Sequence, residues 1–482
     1  MKTHCNQKTF EFQVENSRKI VAHFNGGNIS SDSGGILLQQ AERITGIIAQ
    51  FAGCFTDHRD PDLTEHTVEE LIAQRVYALA LGYEDLNDHD QLRNDSLLAV
   101  MVGKKDPTGK DRIRKRDKGK PLAGKSTLNR LELTPVRADK RSRYKKITVS
   151  HHAVDVFFTD VFLQSYDKPP SAIVLDLDAT DDPVHGHQLG RFFHGYYGNY
   201  CYLPLYIFCG EHLLCARLRP SNIDASAGSV KELARIVSQI RQKWPDVKIT
   251  IRGDSDFCRE HIMLWCEGNN VGYVLGLAKN ERLKREIAVE IGQAKEIYQE
   301  TGQPARVFKD FAYQTLKSWS RARRVVGKAE YLAKGENPRF VVTSLSSDEF
   351  DAKRLYEEQY CARGDMENRI KEQQLYLFAD RTSAATMRAN QLRLWLSSVA
   401  YTLMNALRRL GLKGTELAKA RCDTIRLKLL KIGAQIKVTV RKVWVSLSES
   451  YPYQQLFRQV CENLSVVLRP GSGQVCPIPL RC

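Results

Sequence analysis

Two short runs rich in β-branched residues, Ile173 to Leu177 and Val247 to Ile251, each lead into an aspartate: Asp178 in LDLDAT and Asp254 in ITIRGDSDF. Such runs are how strands buried in a parallel or mixed sheet read, so they tie the chain to an α/β architecture with both carboxylates at strand ends. A third acid, Glu367 in YCARGDMEN, lies on helical periodicity further along. Two strand ends and a helix, each presenting a carboxylate, suit Mg²⁺ or Mn²⁺, which take oxygen ligands. A pair of such ions roughly 4 Å apart activates one oxygen nucleophile and stabilises the leaving oxygen. The pattern predicts a two-metal phosphoryl-transfer site with Asp178, Asp254 and Glu367 as metal ligands.

A polyanionic substrate fits the charge. Lys plus Arg number 72 against 56 Asp plus Glu, a net +16, so the surface field attracts nucleic acid in a salt-dependent way. At 482 residues the chain exceeds a single core and predicts two to four domains. No apolar run reaches the ~18 residues that span a bilayer, which excludes a membrane protein. The opening MKTHCNQKTFEFQ has no apolar leader segment, and the cysteines follow no framework or zinc spacing. Free thiols in a reducing cytoplasm are expected, without disulfides or zinc.

Residues 1–150 read as a mainly helical N-terminal DNA-binding region. Ile36, Leu37, Ala41, Ile44 and Ile48 recur at helical spacing behind the N-cap types Ser31 and Asp32. A second helix is marked by the capping-box pair Thr67 and Glu70 and ends at Gly82. Residues 104–146 carry 17 Lys or Arg against 5 acids and are broken by glycines and prolines. This stretch is expected to be a phosphate-tracking arm rather than an inert connector, ordering on DNA. From 151 to 277 antiparallel strands followed by β-α units predict the first part of a ribonuclease-H-like catalytic core, a mixed sheet flanked by helices. Residues 278–350 are expected to interrupt it as a β-containing insertion, 351–407 to complete it with the Glu367 helix, and 408–482 to form a basic C-terminal region.

Other features are weighed beside the triad. Asp176 leaves the same sheet face as Asp178 and stays open between ligand and structural roles, while Asp256 is the reserve for Asp254. Asp181, Asp182 and Pro183 read as ordinary turn residues. Tyr360, Arg363, Glu367 and Lys371, spaced by three, four and four, form one helical stripe. It supplies a metal ligand flanked by two phosphate cations and an aromatic, the set a DNA terminus needs. Trp319, among Arg321, Arg323 and Arg324, is a candidate for stacking on an unpaired base, against the plainer reading of a packing residue. His185 and His187 lack a third soft ligand. GKPLAGKS, Gly119 to Ser126, satisfies the P-loop spacing, but no apolar strand precedes it and Pro121 lies inside, so ATP is not expected.

Taken together, LDLDATDDPVHGHQ, IRGDSDF, YCARGDMENRIKE, TIRLKLLKIGA and the early SSDSGGILL resemble the DDE transposases of bacterial insertion sequences. These have a ribonuclease-H-like core and a third motif reading Y-x2-R-x3-E, and the likeness is greatest to the thirteen-eighty branch. The resemblance implies that Asp178, Asp254 and Glu367 are catalytic and that Tyr360 and Arg363 hold the DNA end. The wider group has Lys seven residues after Glu; this chain has Gln374, and Lys371 is the substitute phosphate contact. It further implies binding to terminal inverted repeats and target DNA, Mg²⁺- or Mn²⁺-dependent cleavage and strand transfer by two ions, a homodimer on DNA, and a cytoplasmic, nucleoid-associated location. A nuclease of the same fold that cuts without joining and a non-catalytic repressor of element ends are the alternatives.

Overall fold

A computed structural model describes residues 9–12 and 18–467; most of the opening segment read for a leader lies outside the described residues. The chain divides into two units, residues 149–398 and residues 1–148 with 399–482.

The first unit is built on a mixed sheet. Its strands are β1 (Ala172–Ala179), β2 (Leu205–Cys209), β3 (His212–Arg217), β4 (Lys248–Gly253), β5 (Gly272–Leu277), β6 (Ala305–Tyr313), β7 (Arg323–Leu332) and β8 (Arg339–Thr343). They lie in the order β3-β2-β1-β4-β5-β8-β7-β6, with the short Gly335–Glu336 strand beside β7. Only β1, β4 and β5 are mutually parallel. The expected mixed sheet flanked by helices is present, and residues 278–350 add β6, β7 and β8 to that same sheet.

Alternation along the parallel strands sorts the faces. Ile173, Leu175, Leu177, Ile249 and Ile251 pack with Ile236, Val237 and Ile240 of the helix Ser229–Lys243 and Met263 of the helix Glu260–Gly268. Val174, Asp176, Asp178 and Arg252 therefore point to the opposite face. There Val274, Val326 and Val341 pack against Leu355 and Tyr356. Those two residues belong to the helical stretch that carries Glu367: Ala352–Arg354 is α-helical, Leu355–Tyr360 π-helical, Cys361–Arg363 3-10, Gly364–Lys371 α-helical and Glu372–Tyr376 π-helical.

The second unit contains the N- and C-terminal basic regions together. Thr67 and Glu70 form the expected capping box on Val68–Leu81, which ends at Gly82 with φ +95°. The preceding helix is interrupted at Gly46, φ +62°, into Ile36–Thr45 and Ile47–Ala52. Asp32 makes no cap bond; its carboxylate pairs with Lys431 and accepts from Tyr83. Strand Ala434–Val438 pairs with Val443–Leu447 and with Ile29–Ser30. Residues 104–146 are folded in detail. Arg112 is buried against Glu65 at 2.9 Å, Lys104 meets Glu70 at 3.0 Å, and Glu132, fully buried, accepts from Arg75 at 2.8 Å. Lys104, Arg112 and Glu132 of this stretch thus find internal partners, while most of its other basic side chains stay exposed.

Candidate active site

In the parallel register Gly253 lies beside Leu177, so the next residue of each strand is Asp254 and Asp178. Two adjacent parallel strands thus end in neighbouring carboxylates, at the sheet edge where crevices form in α/β proteins. Asp254 caps the 3-10 turn Ser255–Phe257, its Oδ1 accepting from the Asp256 amide at 2.9 Å. Asp178 Oδ1 accepts from the Ala179 amide at 2.9 Å. Burial pushes the Asp178 carboxyl up to about 7; Arg363 pulls it down, while Asp254 and Glu367 add to the rise.

Arg363 stands among these acids, 2.7 Å from Glu367 and 3.8 Å from Asp178. Burial works against its charge, but Asp178, Asp254 and Glu367 together raise its pKa. Tyr360 reaches the other side of the site. A Cβ placed on Gly276 would lie 2.5 Å from the Tyr360 hydroxyl and 3.2 Å from the Asp254 carbonyl carbon, so glycine at this point of β5 makes room for both.

The surroundings of each expected residue are as follows. Among the described residues no three His, Cys, Asp or Glu side chains gather closely enough to hold a metal ion. Asp178, Asp254 and Glu367 share one electrostatic region, with the Arg363 guanidinium among them. In kind, three carboxylates with raised mutual repulsion and oxygen donors only still fit a hard divalent cation. Lys371 is exposed, apart from the triad's ion pairs. The four-residue stripe assumed uniform α-helical winding, and the π and 3-10 segments rewind the backbone around Tyr360 and Arg363. Gln374 donates to the Asp181 carbonyl at 3.0 Å. Trp319 is 6% exposed and packs edge-on against Tyr313, while Arg323 pairs with Glu260 and Glu267 and Arg324 with Asp310. Its ring therefore faces protein rather than solvent.

Asp176 has a definite partner that the sequence reading missed. Arg252, directly beside it in the sheet register, donates to both its oxygens at 2.5 and 2.8 Å and to the Gln359 carbonyl at 2.5 Å. This buried fork ties β1 and β4 to the Glu367 helix. An Arg inside a β-branched run, two residues before Asp254, was the available signal. Asp182 was missed as well: it is 1% exposed, and burial with Asp380 holds its carboxyl well above the usual range.

An α/β sheet with acids gathered at the ends of its parallel strands defines a class of proteins whose chemistry sits at that edge. A family model described as transposase DDE domain group 1 matches residues 12–468. The chain belongs to that family: it is a DDE transposase, an enzyme that cuts and joins DNA, of a group that works with divalent metal ions. No curated protein matches it significantly. Among solved structures, a cryo-EM structure of piggyBac transposase in a synaptic complex with hairpin DNA is similar at 13% identity and a TM-score of 0.39, over 93% of this chain and 87% of that one. That likeness is too slight to bear on this chain's chemistry. No helix among the described residues is long and apolar enough to cross a membrane.

Proposed function

We propose that this transposase binds the terminal inverted repeats of its own mobile element, cleaves there with divalent metal ions, and joins the freed 3′-hydroxyl to target DNA on a ribonuclease-H-like core. The observation that carries the reading is the adjacency of Asp178 and Asp254 at two parallel strand ends, with Arg363 bridging Glu367 and Asp178. Asp178, Asp254 and Glu367 are the residues that would hold Mg²⁺ or Mn²⁺. When bound, such ions supply Lewis-acid neutralisation of the developing phosphoryl charge. The chain's own groups do the rest. Arg363 exchanges a carboxylate for a DNA phosphate, which also accepts two hydrogen bonds from a guanidinium. Tyr360, lodged against Gly276, positions the terminal nucleotide, and Lys371, exposed one turn beyond Glu367, meets the backbone phosphate further out. Asp176 and Arg252 position the helix and touch no substrate. Cleavage and joining are both phosphoryl transfers at one site, so neither needs ATP. Two element ends call for two copies of the chain on DNA.

The test is incubation of the purified protein with Mg²⁺ or Mn²⁺ and a DNA fragment ending in the repeats that flank its gene, alongside Asp254→Asn and Glu367→Gln. Cleaved and joined products from the wild type alone, with end binding kept in both variants, are expected. Cleavage without joining would indicate a nuclease instead. Unchanged products from Glu367→Gln would remove that residue from catalysis.

A further inference from the structure

Far along the chain from the triad, the unit formed by residues 1–148 and 399–482 contains a cavity of about 650 Å³ between the 59–66 segment and residues 90–146. Nine Lys or Arg side chains line it against four Asp or Glu. The acids are already committed in part: Glu65 to Arg112, Asp117 to Arg93 at 3.0 Å, and Asp90 to Lys125 at 3.1 Å. Arg114, Lys120 and Arg130 line the same cavity with no carboxylate partner among the described residues. The N-terminus of the helix Lys125–Glu132 lines it through Lys125, Ser126 and Thr127, with Gly124 at the N-cap and the Asp90 carboxylate accepting from the Lys125 amide at 3.3 Å. The GKPLAGKS segment therefore does present a helix N-terminus and a lysine to a common space, though no strand precedes it.

A buried group independently indicates an anion. His66 is 6% exposed, lines the cavity, and has an Nε2 with no hydrogen-bond partner. Its Nδ1 lies 3.5 Å from the Lys104 ammonium, which can only donate, so Nδ1 accepts and the ring proton sits on Nε2. A buried N–H donor without an acceptor, at the wall of a cavity rich in cations, is complementary to an anionic oxygen. No Phe, Tyr or Trp lines the cavity, so nothing there would stack on a base.

We propose that this cavity is a phosphate-binding site, filled by a backbone phosphate of DNA or by the phosphate of a free compound. The site itself does not depend on the catalytic reading; only the assignment of DNA as the source does. The test is calorimetric titration of inorganic pyrophosphate into the full chain at constant ionic strength in chloride buffer, repeated with a short DNA duplex present. Saturable binding is expected, weakened at least tenfold by Arg130→Glu and by His66→Phe and less than twofold by Lys145→Glu, an exposed change of equal charge outside the cavity. Displacement of pyrophosphate by the duplex assigns the phosphate to DNA; retention assigns it to a free compound. Absence of saturable binding, or an equal loss from Lys145→Glu, would overturn the proposal in favour of a diffuse basic surface. Cleavage and joining on the same preparations report separately on the catalytic site.

Discussion

Asp176 and Asp178 are two residues apart on one strand and have opposite circumstances. Asp176 holds a buried two-point pair with Arg252, whereas Asp178 shares its surroundings with two other acids and a more distant guanidinium. Asp176→Asn leaves the Arg252 charge buried without a counter-ion and is expected to destabilise the first unit by about 3 kcal/mol, read by denaturant unfolding. Asp178→Asn removes a carboxyl that burial and its neighbours disfavour, so its unfolding midpoint is expected to hold or rise while strand transfer is lost. A matching loss of stability in both variants would show that the two carboxylates do the same work. Gly276→Ala separates positioning from folding in another way. Its methyl meets the Tyr360 hydroxyl and the backbone at Asp254, so DNA-end processing should fall at least tenfold with the unit still folded by circular dichroism.

At the scale of elements, the motifs SSDSGGILL and TIRLKLLKIGA lie almost a chain length apart and meet directly. A Cβ on Gly34 would sit 2.7 Å from the Leu430 Cα, and closer still to the Leu429 carbonyl oxygen, in the π-helical segment Arg426–Leu430. Neither backbone can yield without unwinding a turn, so Gly34→Ala is expected to cost at least about 1–3 kcal/mol in the second unit. A thermal midpoint equal to that of the wild type would show that this contact is not tight. Element boundaries followed local chemistry closely where a capping box or a helix-ending glycine marked them, as at Thr67 and Gly82. The winding of the Glu367 helix was not legible: π and 3-10 turns arise where side chains such as Tyr356 and Tyr360 are accommodated against the sheet, which periodicity alone does not register.

Across the whole molecule, the +16 charge predicts DNA affinity that falls steeply with salt, with a log–log slope of roughly −0.9 per phosphate contact. Where DNA supplies the phosphate of the second unit's cavity, Arg130→Glu should flatten that slope by about 1, measured by titrating duplex at several chloride concentrations. The fold also carries a pH dependence of its own. Burial, with Lys104 and Arg112 nearby, lowers the pKa of His66 to about 3, so the unfolded chain binds this proton more readily than the folded one. Its contribution to stability is therefore complete above the ordinary histidine value of about 6.5 and is lost as pH falls towards 3. In phosphate-free buffer His66→Phe should reduce the fall in thermal midpoint between pH 6.5 and about 4. The sequence alone determined that two strands end in aspartates, that a helix bears Glu367 and that the chain is basic, because local periodicity, charge and spacing are properties of residues near one another; the likeness of its motifs to those of DDE transposases was visible there too. Only the tertiary structure decided that Arg252 claims Asp176, that Arg363 stands among the three acids, that Trp319 is enclosed, and that Lys104 and Arg112 of the basic stretch meet Glu70 and Glu65 from outside it. Each of those outcomes depends on partners brought together from distant parts of the chain, and burial sets whether a charged or aromatic group meets water or protein.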